Sequence, residues 1–257
     1  MRSGTHSHNV IDSVRGATKS MFTNTTDQEY TYPNGLKSFD PDGFSVGNLA
    51  DVNAVNSTYV GWNWKAGTTV TNNEGTRESQ VSANPEARFS VVTYTEPSSG
   101  TYTVGHGLGV APSMIILKPR DIGGENWVVY HTSLGSVPTR HCVYLNENNA
   151  KLTTGSSWLT ENTAERFGVT VGQVTAGSDT MVAYCFADVE GYSKFGAYQG
   201  NSNVNGTFVY TGFQPAFVLI KNVTQASDWM MFDSTRNPYN ATDKYLQPNM
   251  GSAEASG

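Results

Sequence analysis

At 257 residues the chain carries 16 basic and 22 acidic side chains, a formal net charge of −6, which argues against a general nucleic-acid-binding surface. Charged residues are only 15% of the total and glycine numbers 26, a profile of short strands and tight turns that is poor for long helices. No apolar run approaches the roughly 20 residues that span a bilayer, and the opening MRSGTHSHNV lacks the basic-then-apolar pattern of a secretion signal.

Residues 1–9 are polar and are expected to be flexible or to wrap around a neighbouring subunit. Next comes NVIDSVRGATKSMF, then turn signals at Asn24-Thr25-Thr26, Pro33-Asn34-Gly35 and Asp40-Pro41-Asp42-Gly43. The last of these leads into Phe44–Gly47, and Ser57–Trp64 (STYVGWNW) alternates large and small residues as a strand does. From Lys65 to Ala87 the chain is rich in Gly, Thr, Asn and Ser, which reads as a long loop or crossover. Strands resume at Phe89–Thr95 and Thr101–Val104, and Pro112–His131 then reads as a strand, a polar loop and a second strand. His141–Asn146, Phe167–Val171 and Thr180–Ala187 follow, with Trp158 in a polar tract between the first two. Tyr192–Gly200 begins what reads as a further unit, and the chain closes on GSAEASG.

The chain repeats itself. PSMIILKPRDIGGENWVVYH (Pro112–His131) is matched by PAFVLIKNVTQASDWMMFD (Pro215–Asp233), pairing Pro112 with Pro215, Lys118 with Lys221 and Trp127 with Trp229. The spacing is 103 residues at the prolines and 102 at the tryptophans. Asp12, His131 and Asp233 occupy equivalent places, and STYVGWNWKAG matches DTMVAYCFADVEG. The fold class expected is all-β, a β-sandwich of jelly-roll type built from internal repeats of about 100 residues. Residues 1–67 read as the second half of a unit, 68–88 as a polar connector, 89–191 as a complete unit, and 192–257 as the first half of another. One unit alone would not cover its apolar faces, so neighbouring units or subunits are expected to complete the core.

Several phrases carry a family likeness: VGHGLGVAPSMIILK, NWVVYHTSLG, MVAYCFADVEGYSKFG, VYTGFQPAFVLIK, DSVRGATK and SDWMMFDSTRNPYN. Together they resemble a repeat domain of unassigned function common in virion and tail-fibre-like proteins of marine bacteriophages. The likeness runs from about His8 to Asn249, and longer members carry more sequence upstream of the point where this chain begins. It implies a structural or appendage component of a virion, synthesised in the host cytoplasm, and it supplies no catalytic residues. A homo-oligomer, a trimer for a fibre, would be its first partnership, and other virion proteins the second. The rival expectations are a module recognising host-surface polysaccharide and a capsid decoration protein.

The candidate chemistry is sparse. Gly105-His106-Gly107-Leu108-Gly109 lacks the spacing of a phosphate loop and reads as a turn into a strand. His6 and His8 share one face of an extended segment, and three such pairs around a trimer axis could offer six nitrogens to a transition metal; no other cofactor is expected. The aspartates at Asp12 and Asp233, replaced by His131 in the middle copy, read as strand-end residues bonding the next turn. Trp127 and Trp229 read as structural plugs, whereas Trp158 in SSWLTEN is the candidate exposed aromatic for a ligand. Cys142 and Cys185 lie in strand-like runs as buried thiols, with a cross-strand bridge left open. No nucleophile elbow or cysteine–histidine signature is present, so no enzymatic activity is expected. A depolymerase would need two carboxylates converging roughly 5–10 Å apart.

Overall fold

The computed structural model describes residues 3–257, so the first two residues of the polar N-terminal stretch lie outside the described residues. Among the described residues the chain is all-β, apart from one helical turn, α1 (Ala50–Asn53), and a 3-10 turn at Thr132–Leu134. The first strands are β1 (Asn9–Val10), β2 (Lys19–Phe22), β3 (Tyr30–Thr31), β4 (Leu36–Asp40) and β5 (Gly43–Val46). The middle of the chain supplies β6 (Thr69–Asn72), β7 (Ser79–Asn84), β8 (Phe89–Thr95), β9 (Thr101–Gly105), β10 (Met114–Pro119) and β11 (Val128–His131). It continues with β12 (His141–Tyr144), β13 (Leu152–Thr153), β14 (Leu159–Asn162), β15 (Arg166–Thr170) and β16 (Thr180–Phe186). The last strands are β17 (Phe217–Ile220), β18 (Met230–Asp233), β19 (Lys244–Tyr245) and β20 (Ala255–Ser256).

Eight strands form the main sheet in the order β13-β12-β11-β10-β16-β8-β7-β6, and β14-β15-β9 form a second sheet of three. These are not the two four-stranded sheets of a jelly roll. β16 lies at the centre, paired with β10 from Met114↔Phe186 to Pro119↔Met181 and with β8 from Thr180↔Thr95 to Phe186↔Phe89.

Both faces of the main sheet are covered, which explains the unbroken apolar run MVAYC. Met181, Ala183 and Cys185 point into a core shared with Tyr102, Trp158, Phe167 and Val169 of the three-stranded layer. Val182 and Tyr184, one residue out of phase, point into a second core with Met21, Trp127, Val129, Val143 and Trp229. A strand buried on both sides shows no polar alternation. The second core is therefore where the N-terminal strands, the main sheet and the C-terminal hairpin meet.

Residues 57–64, expected as a strand, form none; two further expectations change. Residues 69–84 are not a loop: β6 and β7 pair in register from Thr69↔Ser82 to Asn72↔Ser79 and extend the main sheet. The period-2 signal was hidden because serine stands at two of the buried positions, Ser79 and Ser82. Their hydroxyls are satisfied, Ser79 by the Gly105 carbonyl at 3.1 Å and Ser82 by the Gly67 carbonyl at 2.6 Å. Residues 3–9 are likewise tied down, with Ser3 accepting from the Thr58 N–H at 3.0 Å and Asn9 in β1.

Candidate functional site

The residue pairs noticed in the sequence meet at joints between hairpins. The backbone N–H of Trp127 donates to Asn146 Oδ1 at 2.8 Å, and that of Trp229 donates to Asn249 Oδ1 at 3.0 Å. Each asparagine amide returns a bond to the residue before the tryptophan, Asn126 and Asp228 respectively, both at 2.7 Å. Each buried indole then reaches to an earlier strand. Trp127 Nε1 donates to the Phe22 carbonyl at 2.8 Å, and Trp229 Nε1 donates to the Tyr144 carbonyl at 2.9 Å. Tryptophan suits the place because it brings a large apolar body and one donor at its tip.

His8 occupies the same kind of place before β1. Its N–H donates to Asn24 Oδ1 at 3.1 Å, and Asn24 Nδ2 donates to Ser7 Oγ at 3.2 Å. Its Nε2 is buried without a hydrogen-bond partner of good geometry. Burial pushes its pKa down to about 4, which the nearby carbonyls of Met250 and Gln247 offset only in part. His6 has its Nδ1 3.0 Å from Asp51 Oδ1. Among the described residues no cluster of three or more His, Cys, Asp or Glu is placed to hold a metal.

The lysines gather carbonyls. Lys118 is buried and its Nζ donates to Glu125 at 3.0 Å and to Thr26 at 3.3 Å. Lys221 Nζ donates to Asn222 and Ser227, both at 2.8 Å, and to Asn148 at 3.1 Å. Burial pushes Lys118 down to about 8 and moves Lys221 in the same direction. Pro112 and Pro215 precede β10 and β17; one residue on, the Ser113 carbonyl accepts from Thr132 at 2.8 Å and the Ala216 carbonyl from Ser234 at 2.9 Å.

A further pairing escaped the sequence reading. Asp12 Oδ1 accepts from the Arg15 N–H at 2.9 Å and its Oδ2 from Arg15 Nε at 2.5 Å. Arg15 also donates to the Val10 carbonyl at 2.9 Å and to Glu29 at 3.1 Å. Asp233 and Arg236 copy this bond for bond, at 2.9 and 2.6 Å, with Arg236 donating to Met231 at 3.0 Å and Glu254 at 3.1 Å. Asp12 accepts from the Tyr184 hydroxyl at 2.7 Å, and Asp233 accepts from Trp62 Nε1 at 3.2 Å. Tyr184 and Trp62 hold the same place in the two matched phrases DTMVAYCF and STYVGWNW. At Asp233 burial opposes ionisation, and the Arg236 bonds overcome it to hold the carboxyl below its usual range. His131 fills the middle place, its Nδ1 accepting from the Ser133 N–H at 3.1 Å. The recurring Asp-Ser-x-Arg, and an asparagine 19 or 20 residues after each tryptophan, were the legible signals.

Trp158 is not an exposed ligand platform. It is 0% exposed, packed in the first core, and its Nε1 donates to the His141 carbonyl at 2.9 Å. The polar residues around it belong to the strand ends, while the indole fills the sandwich. Cys142 and Cys185 are both free and buried, and burial pushes each thiol up to about 12. The glycine-rich turn is a turn: Gly107 and Gly109 have φ of +69° and +71°, and the His106 Nδ1 accepts from Leu108 at 3.2 Å.

One buried acidic pair does form. Glu96 accepts from the Tyr102 hydroxyl at 3.1 Å, from Thr175 at 2.8 Å and from the Gly177 N–H at 3.0 Å. Burial raises the pKa of Glu96 and of the neighbouring Asp179. A cavity of about 230 Å³ is lined by Glu78 to Gln80, Thr93 to Thr95, Arg120 and Thr180, with neither of these two carboxyls in its wall. Among the described residues no helix is long and apolar enough to cross a membrane.

Neither curated proteins nor solved structures give a match to this chain. A family model matches it along residues 1–257, and the chain belongs to that family, described as a domain of unknown function (DUF7483).

Proposed function

We propose that this protein is a non-enzymatic structural component of bacteriophage virions, a homo-oligomeric tail-fibre or appendage protein built from repeat units of about 100 residues. The observation that carries the reading is the joint made over and over: Trp127, Trp229 and His8 on asparagines, Arg15 and Arg236 on aspartates. These side chains spend their hydrogen bonds on backbone carbonyls and on each other, as a scaffold does, and leave little reactive capacity for a substrate. The bacteriophage assignment rests on the resemblance of the long phrases around these joints. Mass spectrometry of gradient-purified particles tests it, with peptides of this chain expected in intact virions. Presence in the lysate but absence from particles would overturn it.

A second reading is a module that binds host-surface polysaccharide. Its support is the run Tyr198–Tyr210, where Tyr198, Phe208 and Tyr210 are exposed beside Asn201, Asn203 and Asn205. Binding on a glycan array that is lost in Phe208→Ser and Tyr210→Ser would favour it over the purely structural role.

A further inference from the structure

The hairpin β4–β5 has the same register as β14–β15. Leu36↔Val46, Ser38↔Ser45 and Phe39↔Phe44 correspond to Leu159↔Val169, Glu161↔Gly168 and Asn162↔Phe167. The register slips at the same place too, between Leu36 and Ser38 and between Leu159 and Glu161. What differs is the far edge. β15 pairs with β9 through Phe167↔Val104, Gly168↔Thr103 and Val169↔Tyr102, whereas among the described residues β5 pairs with β4 alone. Phe167 and Val169 are buried in the first core, whereas every residue of β5 is exposed.

The matching strand is present in the chain but sits apart from β5. GTFVY (Gly206–Tyr210) resembles GTYTV (Gly100–Val104), whose last four residues lie in β9: both open on Gly-Thr followed by an aromatic, 106 residues apart. Tyr102 and Val104 are 2% and 0% exposed, whereas their counterparts Phe208 and Tyr210 are 86% and 79% exposed. Among the described residues, no backbone–backbone hydrogen bond involves residues 194–215. One chain therefore displays an open strand edge and, separately, an unpaired apolar segment of the sequence that closes the same edge elsewhere. Such edges invite strand addition.

We propose that residues 207–210 of one copy add as a strand to the β5 edge of a second copy, placing Phe44 opposite Tyr210, Ser45 opposite Val209 and Val46 opposite Phe208. The occupant is a second copy because the two elements do not meet within one chain, and the pairing of β9 with β15 supplies the register. The contact is head-to-tail, so it closes into a ring or runs on as a filament. The proposal rests on the homo-oligomeric reading above and names its interface.

The test joins Ser45→Cys with Val209→Cys in one chain. Both positions are exposed, so folding is spared, and Cys142 and Cys185 are buried away from oxidant. Mild oxidation followed by non-reducing electrophoresis is expected to give covalent multimers. The off-register pair Ser45→Cys with Thr207→Cys is expected to give several-fold less. A disulfide formed within single chains would overturn the proposal in favour of closure inside one molecule. No disulfide, from a wild-type protein that light scattering shows to be oligomeric, would overturn this interface and leave the oligomer standing. No disulfide from a wild-type monomer would sink both.

Discussion

The indole N–H of Trp127 donates to the Phe22 carbonyl at 2.8 Å across 105 residues of chain. It ties the main sheet to the N-terminal strands, and Trp229 ties the C-terminal hairpin to the main sheet in the same way. Trp127→Phe keeps most of the apolar volume and removes the donor, leaving the Phe22 carbonyl of the second core only the long bond from the Thr25 N–H at 3.4 Å. The expected loss is about 1–3 kcal/mol, read as a lower midpoint in denaturant unfolding. Trp229→Phe is expected to match it, and an unchanged midpoint in both would contradict the role of the joints.

The two aspartate–arginine clamps are buried, with the Arg15 side chain 0% and the Arg236 side chain 2% exposed. Removing one partner strands the other as an uncompensated charge, so Arg15→Met and Arg236→Met should each cost about 3–5 kcal/mol. Asp12→Asn with Arg15→Met, which removes both charges, should recover part of the loss. Additive losses in that pair would show that the two residues do not act together.

His8 gives the protein an acid-sensitive joint. Its pKa is about 4 when folded against 6.5 for the free side chain, so the unfolded chain takes up the proton more readily. Its contribution to stability is complete above pH 6.5 and is lost as the pH falls toward 4, by up to about 3 kcal/mol. His106 and His131 are also held down by burial and act in the same direction. His8→Gln should flatten the stability profile between pH 6.5 and 4. A profile as steep as the wild type's would assign the acid sensitivity to the other two histidines.

Trp158 lies in the first core, so Trp158→Ala should cost about 3–5 kcal/mol through the cavity it leaves. The loss is to be measured by thermal unfolding. A stable variant that lost only glycan binding would restore the exposed-platform reading.

The all-β class, the matched Pro112/Pro215, Lys118/Lys221 and Trp127/Trp229 pairs and the strand-end role of Asp12, His131 and Asp233 were legible in the sequence. Each rests on local pattern or on self-similarity. What the sequence hid were features fixed by distant partners. The serines of β7 face inward because the Gly105 and Gly67 carbonyls receive them. Trp158 is flanked by polar residues yet fills a sandwich whose other wall lies in strands far along the chain. His8 takes a tryptophan's place in the first hairpin, which its own sequence neighbourhood does not signal. Residues 206–210 (GTFVY), similar to the sequence around β9, have no partner strand among the described residues.

The central claim is a scaffold that assembles with copies of itself, and the mass of the purified protein in solution tests it most directly. Multi-angle light scattering at micromolar concentration is expected to give a discrete multiple of 27.8 kDa, the trimer for a fibre. A single species of 27.8 kDa that persists as concentration rises would contradict the account.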